Sequence, residues 1–160
     1  MLGGVNVAAY NWFVDPSQNE VWSKGSFGLF LSDFYNGRAF KETIYQDHYV
    51  FMLKLQAYYP DAEYERIDTY DEFLSSKCRI LLLICDTHYI DIYCKDIEIS
   101  RALFARANSL SYQDVEYITD ENDGRTAMNL FWTETDAEAP QEEALLSGLL
   151  LNRKENYLCW

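Results

Sequence analysis

The sequence predicts an α+β protein, a mostly antiparallel sheet with helices packed on one face, followed by a C-terminal amphipathic helix. Three observations lead there. The run "ILLLIC" at 80–85 is followed by a polar "DTHY" and then by "IDIYC", in which Ile90, Ile92 and Cys94 alternate with Asp91 and Tyr93. That is the pattern of a hairpin whose first strand is buried on both faces. Residues 96–110, "DIEISRALFARANSL", place Ile97, Leu103, Phe104 and Ala107 near one helical face, with acids first and arginines late, as the helix macrodipole favours. "QDVEYIT" at 113–119 alternates as a strand again, so strands and helices interleave.

The remaining elements follow in order. "VNVAAYNWFV" (5–14) reads as a strand, "DPSQN" (15–19) carries turn chemistry, and "EVWSKG" (20–25) reads as the return strand of a hairpin bearing Trp12 and Trp22. "SFGLFLSDFYNG" (26–37) is apolar but broken by glycine, which leaves helix and strand both open there. "GRAFKETIYQ" (37–46) suits a short helix with Phe40 and Ile44 at i, i+4, and "HYVFMLKLQAYY" (48–59) suits a strand that Pro60 ends. In "DTYDEFLSS" (68–76), Asp68 or Thr69 can cap a short helix, and Glu72 stands three residues after Thr69 as in a capping box. After the acidic connector "TETDAEAP" (133–140), "QEEALLSGLLLNRK" (141–154) has acids first, bases last and leucines at 145, 146, 149 and 150, the mark of an amphipathic helix. Residues 1–132 then form one α+β domain, and 133–160 a connector with the terminal helix.

Composition narrows the function classes. The chain has 160 residues, enough for one real core, and 26 acids against 13 bases give a net charge of −13. Such a field repels phosphate backbones, so direct nucleic-acid binding is not expected. The four cysteines, Cys78, Cys85, Cys94 and Cys159, form no CxxC pair, and two lie in apolar runs, which suits buried free thiols in a reducing cytoplasm. No apolar run approaches a membrane span, and the N-terminus lacks a basic segment before its apolar part, so neither insertion nor export is expected.

The charge is clustered. Residues 107–152 hold ten acids against the single base Arg125, and residues 61–72 hold six against Arg66. The candidate binding residues fall in these clusters: Asp114, Glu116, Tyr117, Asp120, Glu121 and Asp123 in one, Glu63, Glu65 and Tyr70 in the other, with Tyr64 and Tyr112 as further contact area. Carboxylates steer a cationic partner, and tyrosine is a common interface anchor. A solvated, idle face is the alternative reading of the same residues.

Catalytic patterns fit poorly. "DENDG" supplies Asp120, Asn122 and Asp123 near a glycine, but an EF-hand loop needs glycine sixth and glutamate twelfth; here Gly124 is fifth and Phe131 stands at the twelfth place. Asp86, His88 and Asp91 surround one turn, too few ligands for a metal site, and Cys85, near His88, sits in an apolar strand where a thiol stays protonated. No GxSxG elbow, phosphate loop or dinucleotide fingerprint is present.

"FLSSKCRILLLICDTHYIDIYCKD" (73–96) followed by "VEYITDENDGRT" (115–126) resembles a family of small Firmicutes proteins known as domain of unknown function 2691, over about Trp12 to Trp132. The resemblance implies a cytosolic bacterial or phage-borne origin and carries no activity with it. It also implies that an initial strand and helix of the family are missing here and that the tail after Trp132 is an addition, so that a sheet edge is left for the tail helix or a second chain to cover.

The expectation is therefore a non-catalytic acidic module that binds a basic surface of a bacterial protein, of the inhibitor or immunity type, without cofactor or metal. A structural subunit that oligomerises through its C-terminal helix, a homodimer included, is the second reading. A small metal-assisted hydrolase using Asp86, His88 and Asp91 or the Asp120–Asp123 turn is the third.

Overall fold

The computed structural model describes residues 2–24, 28–119, 121–123 and 125–130, together with the backbone of 148–152. Its centre is an antiparallel sheet of β1 (Asn11–Ser23), β2 (Phe34–Tyr35), β3 (His48–Tyr58), β4 (Ile80–Cys85), β5 (Tyr89–Cys94), β6 (Gln113–Ile118) and β7 (Gly148–Asn152). The strand order is β2-β1-β3-β4-β5-β7-β6. Among the described residues three α-helices complete it: α1 (Gly37–Ile44), α2 (Tyr70–Ser75) and α3 (Ile97–Ser109).

The period of two along each strand sorts the core into two layers. Leu53, Leu55 and Ala57 of β3, Ile80, Leu82 and Ile84 of β4, and Ile90, Ile92 and Cys94 of β5 point to the first face, where they meet Phe40 of α1 and Leu103 and Ala107 of α3. Phe40 stacks on Trp12 with ring centroids 4.3 Å apart, and the Trp12 indole donates to the Val7 carbonyl at 2.8 Å, so the buried polar tip is satisfied. The N-terminal turn of α1 approaches residues 8–10 so closely that a Cβ on Gly37 would lie 2.4 Å from the Ala8 carbonyl oxygen, a contact only glycine permits.

The opposite residues, Tyr58, Leu81, Leu83 and Tyr93, form the second layer with Ile67, Phe73 of α2, Cys78, Met128 and Leu130. Both faces of the sheet are thus covered, α1 and α3 on one and α2 with segment 125–130 on the other. Asp91 and Tyr93, which the alternation of β5 assigns to a polar face, are both buried. The expected capping box is present: Thr69 Oγ1 accepts from the Glu72 amide at 3.2 Å, and Glu72 Oε2 accepts from the Thr69 amide at 3.0 Å.

The hairpin expected over 5–25 does not form. β1 is one strand paired along its length with β3, and the "DPSQ" chemistry makes a bulge inside it: Val14 lies opposite Leu55 and Asn19 opposite Leu53, so residues 15–18 face Lys54 alone. Asp15 closes the bulge locally by accepting from the Ser17 amide at 3.0 Å and hydroxyl at 2.6 Å, and Pro16 has no amide to offer the ladder. Trp12, Val14 and Val21 all belong to the first face, and burying the three together keeps both halves of β1 on β3 rather than on each other. Of the helix expected at 141–154, residues 148–152 instead form strand β7, and the rest lies outside the described residues. Among the described residues, no helix is long and apolar enough to cross a membrane.

The bulge has a consequence on the second face. Lys54 is 1% exposed there, and its ammonium donates to the Ile67 carbonyl at 2.6 Å and to Asn129 Oδ1 at 2.8 Å, with Asp15 and Asp68 carboxylates each 3.8 Å away. Gln18, also from the bulge, donates to Asp15 and Asn129 and accepts from the Leu130 amide at 2.6 Å. Removing one member of a buried, hydrogen-bonded charge cluster costs about 3–5 kcal/mol; Asp15 and Asp68 keep some contact with water, which favours the lower end. Lys54→Met is expected to lower stability by about 3 kcal/mol, which is roughly 6–12 °C in Tm for a chain of this length. Thermal and urea unfolding of the variant check it, and a change under 1 kcal/mol contradicts it.

Candidate functional site

The outward candidate residues of β6 and of 61–65 lie in two places that the sheet holds apart, while Asp123 and Tyr70 meet at Tyr93 on the second face. β6 and the 61–65 segment beside β1 are five inter-strand steps apart in the strand order, about 24 Å at the usual spacing. They do not make one surface.

At β6, Asp114 and Glu116 are exposed on the last strand of the sheet. Asp114 takes a positive φ of 52° where the register shifts between Gln113 and Glu116. Charge and a bulge on a terminal strand block edge-to-edge pairing, so these acids have a structural use without any partner. Tyr117 is partly buried, stacked on Phe104 of α3 at 4.5 Å, and Tyr112 is buried in the first core layer. Glu121 is exposed, and Asp120 lies outside the described residues.

Beyond β6 the chain turns inward over the second face. Asn122 Oδ1 accepts from the Thr119 amide at 2.7 Å, and its Nδ2 donates to the Tyr117 carbonyl at 2.9 Å. Asp123 accepts from the buried Tyr93 hydroxyl at 2.7 Å. Arg125 lies 2.8 Å from Asp91, with both side chains largely withdrawn from water, and donates to the Asn129 carbonyl at 3.3 Å. Burial pushes the Asp91 carboxyl up to about 6, against the opposing pull of the Arg125 guanidinium. The segment is a polar strap, and its Asp123 and Arg125 belong to the fold's interior more than to its surface.

The second cluster is likewise partly consumed. Glu72 caps α2, Glu65 accepts from the Lys77 amide at 2.7 Å, and Asp68 holds Arg66 at 2.5 Å while facing Lys54. Tyr70 packs against Phe73 and Tyr93 in the second core layer. What stays outward is a corner at the β1–β2 end. Tyr64 lies over Phe13 with centroids 3.9 Å apart, and Phe34 meets both rings, at 4.8 Å from Phe13 and 5.5 Å from Tyr64. Phe34 is 58% exposed and Leu31 89%. Asp33, Asp61 and Glu63 are exposed in the segments carrying Phe34 and Tyr64, and no hydrogen bond or ion pair to their side chains is present among the described residues. Charge and proximity at this corner were visible in the sequence only on the 61–65 side; Phe34 and Asp33 sat in the stretch that pattern left open.

The catalytic candidates do not converge. Asp91 points to Arg125, while His88 Nδ1 contacts the Asp86 carbonyl oxygen at 2.5 Å. Cys85 has its thiol pKa raised by burial and by Asp86, so it is held in the unreactive form. Burial pushes the Cys78 and Cys94 thiols up to about 12. Among the described residues no three His, Cys, Asp or Glu side chains are grouped to hold a metal ion.

Residues 1–129 match the family described as "Protein of unknown function (DUF2691)", and the chain belongs to that family. The match begins at residue 1 rather than near Trp12 and ends at Asn129, the residue that fixes Lys54. The "Uncharacterized protein YncE" of Bacillus subtilis (strain 168) is 37% identical over 83 residues, which cover 52% of this chain and 54% of the relative, so the chain spans about half the length of the curated relative it matches. No solved structure matches the chain.

The strap makes a pH prediction. The folded Asp91 pKa, about 6, lies above the value near 4 of an unfolded aspartate, so between these values the folded state binds more protons than the unfolded one. Asp91's share of stability is therefore greatest below about pH 4, falls as pH rises to 6 and is flat above. Urea unfolding of wild type and Asp91→Asn from pH 4 to 7.5 is expected to show a wild-type decline of order 2 kcal/mol that the variant lacks. Parallel curves for the two proteins would contradict it.

Proposed function

We propose that the chain is a non-catalytic acidic module of the bacterial cytoplasm that binds a protein partner through a basic surface, as an inhibitor or immunity protein does. The observation that carries this reading is the corner of Leu31, Phe34 and Tyr64, where exposed apolar area stands beside the carboxylates of Asp33, Asp61 and Glu63. Phe34 packs on Phe13 and Tyr64 yet keeps more than half of its surface in water at a sheet edge, while the phenylalanines of β1, α1 and α2 are buried. The pairing of rings for contact area with unneutralised acids for steering suits a lysine- or arginine-rich face that carries its own apolar centre.

The acids on β6 are a weaker choice for the same role, because edge protection accounts for them. Asp123 and Tyr70 are weaker still, being engaged inside the second layer.

Affinity capture from the native host at low and high salt, with mass spectrometry, tests the reading. Wild type is expected to retain a basic protein that elutes as salt rises, and Phe34→Ala with Glu63→Lys to lose it by at least tenfold. Asp114→Lys with Glu116→Lys is expected to keep it. Identical capture by all three proteins, or no salt-sensitive basic partner, contradicts it.

A further inference from the structure

The strand order leaves one position in the sheet that the family-matched residues do not fill. β5 and β6 are not paired with each other; each pairs antiparallel with β7, which lies between them. Tyr89 to Tyr93 meet Asn152 to Gly148 on one side, and Gln113, Glu116, Tyr117 and Ile118 meet Asn152, Leu150, Leu149 and Gly148 on the other, with Leu151 at the register shift. The family match ends at residue 129, before β7 begins, so residues 1–129 supply both walls of this position and none of its occupant.

Two strands flanking a third stand about 10 Å apart, twice the pairing distance, so with β7 removed the facing amides and carbonyls of β5 and β6 have no partners in each other. Each wall also has contacts that do not involve the occupant. β5 is locked into β4 along its length, and β6 is fixed from behind by the stack of Tyr117 on Phe104 of α3. A preformed gap with two rows of unsatisfied backbone groups is an acceptor for an extended segment. The segment that lies in it, "GLLLN", has no charge, in a chain with charged residues at 24%. Residues 131–147, at about 3.3 Å per residue, are long enough for the strand to be delivered to its own sheet or to that of a second copy.

We propose that the gap between β5 and β6 is a strand-acceptor groove, plugged by the chain's own residues 148–152, and that this plug exchanges with an added strand of the same sequence. The recognition is by main-chain hydrogen bonds on both sides, which makes it tolerant of who donates the strand and sensitive to anything that removes a donor.

Hydrogen exchange on the full-length chain tests this. Leu150→Pro removes an amide from the middle of the plug. It is expected to lose protection at least tenfold at those amides of 113–118 and 89–93 that face β7, with the β4-facing amides of β5 and those of β1 and β3 keeping theirs, and a synthetic peptide of residues 145–155 is expected to restore it. If the variant does not fold, a fluorescent version of that peptide decides with wild type. Slow uptake that unlabelled peptide blocks and a peptide carrying Pro at 150 does not block supports the groove, as does a wild-type dimer that the peptide dissociates. Unchanged protection of 113–118 in Leu150→Pro, failure of the peptide to restore it, or no uptake by wild type overturns it.

Discussion

The second face of this sheet depends on one ammonium group. Lys54 sits on the central part of β3 among Leu53, Leu55 and Leu83, where an unpaired charge would not be tolerated, and it is made tolerable by oxygens delivered from three separate stretches of chain. The bulge of β1 brings Asp15, the loop before α2 brings the Ile67 carbonyl and Asp68, and the strap after β6 brings Asn129. Burial lowers the Lys54 pKa while the two aspartates oppose that shift, so the cation and its anions hold each other in place. Because each oxygen sits on a different segment, satisfying the lysine fixes how those segments lie over the sheet.

From this constraint the use of charge follows. A chain with twice as many acids as bases has little need to bury them, yet Asp15, Asp68, Asp91 and Asp123 are turned to Lys54, Arg125 and Tyr93. The bases that neutralise them are among the few the chain has. Other acids cap α2, guard the β6 edge or accept from backbone amides. At the β1–β2 corner Asp33, Asp61 and Glu63 stay outward beside the exposed Leu31, Phe34 and Tyr64, and the proposed partner is placed there rather than on the acidic stretch as a whole.

The elements that the sequence made legible are those whose local pattern and tertiary fate agree. The β4–β5 hairpin, α3, β3, β6 and the Thr69–Glu72 capping box are of this kind. The failures have a common physical cause. At Asp15–Asn19 the local turn chemistry is real, but burial of Trp12 and Val21 on one face outweighs it and turns a hairpin loop into a bulge. At Asp91 a polar residue in an alternating strand is normally a sign of solvent, and only the distant Arg125 reverses it. At 148–152 a leucine-rich run that suits a helix face is drawn into the sheet by two strands with open backbone groups. Lys54 and Asn129 lay in segments with no motif, and the turn chemistry around Gln18 said nothing of its distant partners, since a buried lysine is announced only by the residues that surround it. A lysine in the middle of an otherwise apolar strand, as in "MLKLQA", is the one signal that pointed there.

The most direct measurement is of the Lys54 ammonium itself. Proton–nitrogen NMR of the lysine side chains near pH 6 is expected to show one ammonium resonance protected from solvent exchange, with nuclear Overhauser contacts to the Asn129 side chain and the Ile67 backbone. An ammonium at residue 54 that exchanges as freely as those of exposed lysines, or that lacks contact with Asn129, would contradict the account.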